Sequence, residues 1–177
     1  MKIGVLKFGG TSVGSLERIK KEAKIITTYK KRKFGVIVVS SAMSGTTNDL
    51  IKKTTELSNN FDSAEYDVLL SSGEQMACAL IAGRLKHLGH KARSWMSWQV
   101  PIITDGPYSS SRIHKINKKK IITFIKSGGI PIITGFQGIN SENRITTLGR
   151  GGTDASAIML AKFFDASACD IYTDVDG

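Results

Sequence analysis

The sequence predicts an α/β fold: a three-layer αβα sandwich around a mainly parallel central sheet. Three observations carry that expectation. Short apolar runs alternate with longer stretches whose apolar residues recur at helical spacing. The runs are continuous rather than alternating, as expected of strands covered on both faces. Strands separated by helices of this length connect in parallel.

Along the chain, residues 3–6 (Ile-Gly-Val-Leu) form the first buried strand. Leu16, Ile19, Ala23 and Ile26 then mark a helix, and residues 36–39 the next strand, ending in Ser40-Ser41. After a Ser/Gly/Thr-rich loop, residues 48–57 read as a helix with Leu50, Ile51, Thr54 and Leu57 inward. A polar break at 59–63 precedes a helical stretch over 64–88, with Met76, Leu80 and Leu88 inward and Gly73 as an interruption. Residues 92–95 and 102–104 are short strands. Residues 118–126 form a helix that stops at Gly128-Gly129. Residues 130–134 are another buried strand, with Pro131 tolerable near its start. A helix over 154–164 and a strand over 169–173 complete the pattern.

Residues 1–177 read as one domain without internal repeat or linker. Hydrophobic content of 41% fills a core, and three prolines with no low-complexity tract argue against disorder. There is no apolar run of membrane-spanning length and no signal peptide, so no membrane partner is expected. Cys78 and Cys169 lack metal-ligand spacing and read as two reduced, buried thiols of a cytoplasmic protein. The net charge of +10 raises nucleic acid as a partner. The lysines are spread over helix faces without interleaved aromatic residues, however, so no nucleic acid is expected. Trp95 and Trp98 read as packing residues, and His87, His90 and His114 have no partner pattern.

Chemistry gathers where the strands end, because ligands of such sheets bind beyond the carboxyl ends of the strands. Lys7-Phe8-Gly9-Gly10 sits between a strand and a helix start, a place to hold phosphate; a tight turn is the bland alternative. The lysine precedes the glycines, so this is not a P-loop. The loop 40–48 is dense in hydroxyls, with Thr47 either a ligand group or an N-cap. Ser71-Ser72-Gly73-Glu74 puts a carboxylate beside a helix start, where it either complements the dipole or binds an ammonium group. In residues 146–154, three glycines flank Arg150, a residue suited to holding a carboxylate, and Asp154 stands at the following helix start. Asp170, Asp174 and Asp176 admit a Mg²⁺ site, although Asp176-Gly177 equally reads as a turn.

In this order, the segments 7–13, 39–48, 72–75, 135–138, 147–154 and 170–177 resemble the aspartokinases of the amino acid kinase family. The resemblance implies phosphoryl transfer from MgATP to the β-carboxylate of L-aspartate, the first step toward lysine, threonine and methionine. ATP and Mg²⁺ are the implied cofactors, no residue is assigned as a metal ligand, and a homo-oligomer is implied. Lys7 would neutralise the transferring phosphoryl group, within a nucleotide-binding set of Phe8, Gly9, Gly10, Ser41, Thr173 and Asp174. Thr47 would hold the acceptor carboxylate. Arg150 would pair with the α-carboxylate, in a loop shared with Gly151, Gly152 and Thr153. Glu74 and Asp154 would take the α-ammonium, with Asp154 also steering Lys7. Residue chemistry agrees: a carboxylate acceptor is already ionised at neutral pH, so no catalytic histidine is required.

The same resemblance implies that the kinase domain is incomplete here, stopping before further nucleotide-binding segments and the ACT regulatory domains. Two alternatives belong to other classes: a folded remnant without a complete nucleotide site, and a basic nucleic-acid-binding module. Trp98-Gln99-Val100-Pro101 departs from the family pattern, with bulk and a proline where Ala-Gly is usual.

Overall fold

The computed structural model describes residues 2–31, 35–149 and 151–173. Its elements follow the order β1 (Ile3–Phe8), α1 (Leu16–Lys31), β2 (Gly35–Ser40), α2 (Thr46–Leu57), α3 (Ser63–His87), β3 (Ala92–Trp95), β4 (Ile102–Asp105), β5 (Arg112–Ile116), α4 (Lys119–Lys126), β6 (Ile130–Thr134), β7 (Gln137–Ile139), β8 (Ile145–Thr147), α5 (Gly152–Phe163) and β9 (Ala168–Tyr172). The central sheet has the order β3-β6-β2-β1-β9, with every pairing parallel. The expected three-layer α/β architecture is therefore present.

Alternation along the strands builds two cores. Ile3, Val5, Ile37 and Val39 face one way and pack with Ile121 and Ile125 of α4 and Ala157 and Leu160 of α5. Leu6, Phe8, Val36 and Val38 face the other way, against Ile19, Ala23 and Ile26 of α1 and Cys78, Ile81 and Leu85 of α3. Lys7 shares the parity of Ile3 and Val5, so its side chain leaves β1 on the α5 side.

Register aligns the strand ends. Phe8 pairs with both Ser40 and Tyr172, and Ser40 pairs with Thr134. Beyond these residues the exits are tied together: the Ser41 amide donates to the Phe8 carbonyl (3.0 Å), Gly135 to Ser40 (3.2 Å) and Gly9 to Tyr172 (3.1 Å). The expected convergence on one rim is present.

Several expectations are corrected. A second sheet of order β5-β4-β7-β8, mixed in direction, flanks the rim; the sequence reading contained no β5, β7 or β8. α3 runs unbroken through Gly73, which is a point of close approach: a Cβ there would lie 2.8 Å from that of Ala42. The inward face of α3 is also different. Met76, Leu80 and Leu88 are exposed, and the helix instead buries Asp67, Leu70, Ser71, Glu74, Cys78 and Ile81. Leu16, Leu57 and Trp98 are likewise exposed, and Cys169 is only half-buried; both cysteines are free. The unusual Val100 is fully buried beside Trp95 and Ile102, so the core absorbs its bulk.

Candidate active site

A cleft of about 640 Å³ opens over the rim. Its floor holds Lys7, Gly10 and Ser41; its sides carry Thr47, Glu74 and the α5 start from Gly151 to Asp154. Nine residues singled out from the sequence thus meet around one space: Lys7, Gly10, Ser41, Thr47, Glu74, Gly151, Gly152, Thr153 and Asp154.

Lys7 is 7% exposed, and its Nζ lies 2.6 Å from Oδ1 of Asp154. Asp154 is half-exposed, so the pair sits at the boundary between core and cleft. Strand parity delivers the amine; the first turn of α5 delivers the carboxylate.

Two helices start on the cleft, and neither start has a side-chain cap. Both N-cap residues are left-handed glycines, Gly45 at φ 84° and Gly151 at φ 71°. Thr47 is therefore a first-turn residue of α2 rather than its N-cap. First-turn N–H groups left without a side-chain partner attract anions, and the helix dipole adds to this. By contrast, α1 does not start at Gly10. A turn intervenes, and Ser15 Oγ accepts from the Arg18 amide at the start of α1 (3.2 Å). The helix starts on the cleft without a side-chain cap are thus those of α2 and α5, not that of α1.

Glu74 is not at a helix start but in the middle of α3, 4% exposed. Its Oε1 accepts from the Ala42 amide (3.1 Å), while the buried Oε2 has no hydrogen-bond partner among the described residues. Burial pushes its pKa up to about 7, against the lowering effect of the Ala42 N–H. A buried carboxylate with one oxygen unmatched beside a cleft is suited to a cationic ligand group.

The other candidates lie elsewhere. Phe8 is fully buried and stacks on Tyr172 with ring centroids 4.9 Å apart, so its side chain belongs to the core. Gly9 and Thr173 do not line the cleft, though a Cβ on Gly9 would come within 3.3 Å of the Lys7 amine. Asp170 lines a separate groove with Lys24 and Tyr29. Arg150, Asp174 and Asp176 lie outside the described residues.

Two further residues shape the site: Phe136, within the segment 135–138 but given no role from the sequence, and Asp67, not singled out from it. Phe136 lines the cleft in a left-handed conformation (φ 66°), uncommon for a bulky residue. Its amide donates to Ser156 Oγ and its carbonyl accepts from the Leu148 amide, both at 2.9 Å. Asp67 is fully buried behind the cleft and holds Ser109 and Thr147. Its signal was a carboxylate at helical spacing from Leu70, Ser71 and Glu74.

The model of the amino acid kinase family matches residues 2–177. The chain belongs to this family. Within it, the aspartokinase of Rickettsia conorii (strain ATCC VR-613 / Malish 7) is 48% identical over 180 residues, covering the whole of this chain and 45% of that protein. An aspartate kinase structure from Synechocystis is 40% identical with a TM-score of 0.84, covering 98% of this chain and 29% of that one. The structure of E. coli aspartokinase III in complex with aspartate and ADP is 26% identical, with a TM-score of 0.86, covering 99% of this chain and 50% of that one. This chain thus spans about half, or less, of the length of these family members.

Proposed function

We propose that the cleft is the acceptor site of an aspartokinase, where MgATP phosphorylates the β-carboxylate of L-aspartate to give 4-phospho-L-aspartate. The observation that carries this reading is the pairing, within one cleft, of a Lys7–Asp154 ion pair with the unmatched buried carboxylate of Glu74. Relatives named aspartokinase, and a similar structure holding aspartate and ADP, support it.

An amino-acid acceptor brings a cation and two anions. Glu74 takes the α-ammonium, and Arg150 the α-carboxylate. The β-carboxylate lies toward Thr47 and the start of α2. One of its oxygens attacks the γ-phosphorus; the bond from that phosphorus to the β,γ-bridging oxygen breaks, and ADP leaves with the electron pair. The attacking carboxylate is already ionised, so no proton need be removed. Catalysis then rests on positioning and on neutralising charge. Lys7 supplies positive charge to the transferring group and Asp154 holds its amine. Ser41 and Thr153 offer hydroxyl donors and Gly10 and Gly151 backbone donors, while Gly9 and Gly152, whose amides are bonded to Tyr172 and Gly149, let the backbone pass close; Phe8 sets the strand end, and Thr173 and Asp174 are assigned to the nucleotide. Mg²⁺ would enter with the phosphates of its nucleotide, the usual way that this ion is held in kinase sites.

Calorimetric titration with L-aspartate, in the presence of MgADP, tests the acceptor assignment. Binding that disappears in Glu74→Gln is expected. Equal affinity in both proteins would remove the ammonium role from Glu74 and the acceptor from this cleft.

A further inference from the structure

Four hydrogen bonds converge on one fully buried carboxylate that does not itself line the cleft. Asp67 Oδ2 accepts from the backbone amides of Ser109 (2.9 Å) and Thr147 (2.7 Å). Its Oδ1 accepts from the hydroxyls of the same two residues, both at 2.8 Å. Each oxygen thus takes one bond from each segment, a bidentate arrangement that fixes orientation as well as distance.

The two segments come from different parts of the fold. Ser109 lies in the loop between β4 and β5, in a left-handed conformation (φ 62°). Thr147 ends β8 and leads through Leu148 to Gly149 and the start of α5. Ser109, Thr147 and Gly149 all line the cleft. The loop and the strand exit also meet directly: the Ser111 amide donates to the Thr147 carbonyl (3.0 Å), and a Cβ on Gly149 would lie 3.0 Å from the Ser109 carbonyl oxygen.

Asp67 and Glu74 share the buried face of α3 with Leu70 and Ser71. Seven residues of helix separate them by about 10 Å. One helix therefore carries both the carboxylate that lines the cleft and the carboxylate that anchors another part of its lining.

We infer that Asp67 is a positioning residue: through Ser109 and Thr147 it fixes part of the wall of the cleft that Glu74 also lines, and so sets the space for the amino-acid end of the acceptor. The inference rests on the acceptor reading proposed above. Leucine in its place keeps the approximate size but removes both acceptors, leaving the amides and hydroxyls of Ser109 and Thr147 without their partner. The wall then separates from α3 while Glu74 and Lys7 remain.

The test is Asp67→Leu, read in two ways. Amide hydrogen exchange at Ser109 and Thr147 should accelerate about tenfold or more, with the Ala42 amide unchanged as a fold control. Calorimetry should show the Kd for L-aspartate rising about tenfold, with that for MgADP changing less than about twofold, since displacement of a positioning contact acts on the ligand it positions. If Asp67→Leu does not fold, Ser109→Ala and Thr147→Val each remove one hydroxyl donor and should give smaller changes in the same directions. Protected amides in the folded variant would overturn the inference. So would freed amides with unchanged aspartate affinity, or equal loss of both ligands. A wild-type chain that binds no aspartate would refute the acceptor reading, and the exchange result alone would then decide whether Asp67 holds the wall.

Discussion

Lys7 Nζ meets Asp154 Oδ1 at 2.6 Å, joining the end of β1 to the first turn of α5. The amine is almost fully buried, whereas its partner is half-exposed. A lysine held this way has one fixed direction for its charge, and that direction is into the cleft.

Asp154→Asn should therefore reduce turnover through Lys7 rather than through folding. The expected loss is about 10²-fold in kcat, comparable to removing a preorganised electrostatic group. Steady-state kinetics beside thermal melting checks it. An unchanged kcat in a stably folded variant would release Lys7 from dependence on Asp154.

Glu74 gives the acceptor step a pH dependence. Its carboxyl is raised by burial to about 7, and only the ionised form pairs with an ammonium. Below pH 7, aspartate affinity should fall about tenfold per pH unit; above it, affinity should level off. Titrations from pH 5.5 to 8.5 measure this, and Glu74→Gln should abolish both the binding and the slope.

Stability runs the opposite way. Glu22 on α1 and Glu74 on α3 are both raised from 4.5 to about 7 by burial. Each binds more protons folded than unfolded between those values. Their contribution is fully present below about pH 4.5 and lost as pH rises through about 7. Glu74→Gln should leave the melting temperature nearly unchanged at pH 4 and raise it at pH 8. A shift of about 2.5 pKa units corresponds to on the order of 3 kcal/mol as an upper value, hence a rise of at most on the order of 10 °C. A lower melting temperature at pH 8 would contradict the burial account.

Gly45 and Gly151 have left-handed φ values with open space where a Cβ would stand. Alanine at either position meets strain without a clash, costing about 1–2 kcal/mol. Melting should detect a fall of several degrees for each variant. No change would mean that these helix starts are not held in the left-handed conformation.

The fold was legible where strands are buried on both faces, since β1, β2 and β6 are continuous apolar runs. β5 was not, because its Arg-Ile-His-Lys-Ile sequence buries only Ile113 and Ile116 and exposes charge on the other face. β7 and β8 have three residues each, too few to show a period. α3 was misread for a functional reason. Its inward face carries Asp67, Ser71, Gly73 and Glu74, which serve the cleft and its wall, while Met76 and Leu80 point outward. Polar residues on a buried face invert the usual hydrophobic pattern, and such local conflicts concentrate at sites. The cleft residues themselves were legible because strand ends of a parallel sheet share one rim. Asp67 was not, because its partners are distant from it in sequence: Ser109 carries no motif, and Thr147, which heads the segment 147–154, shows nothing there that points to Asp67.

The most direct test of the phosphoryl-transfer claim is a hydroxylamine trap of acyl phosphate, with the 177-residue chain, MgATP and L-aspartate, and Lys7→Ala alongside. The account predicts aspartate-dependent hydroxamate that falls by about 10²-fold or more in Lys7→Ala. No hydroxamate from the folded chain, or an undiminished yield from Lys7→Ala, would contradict it.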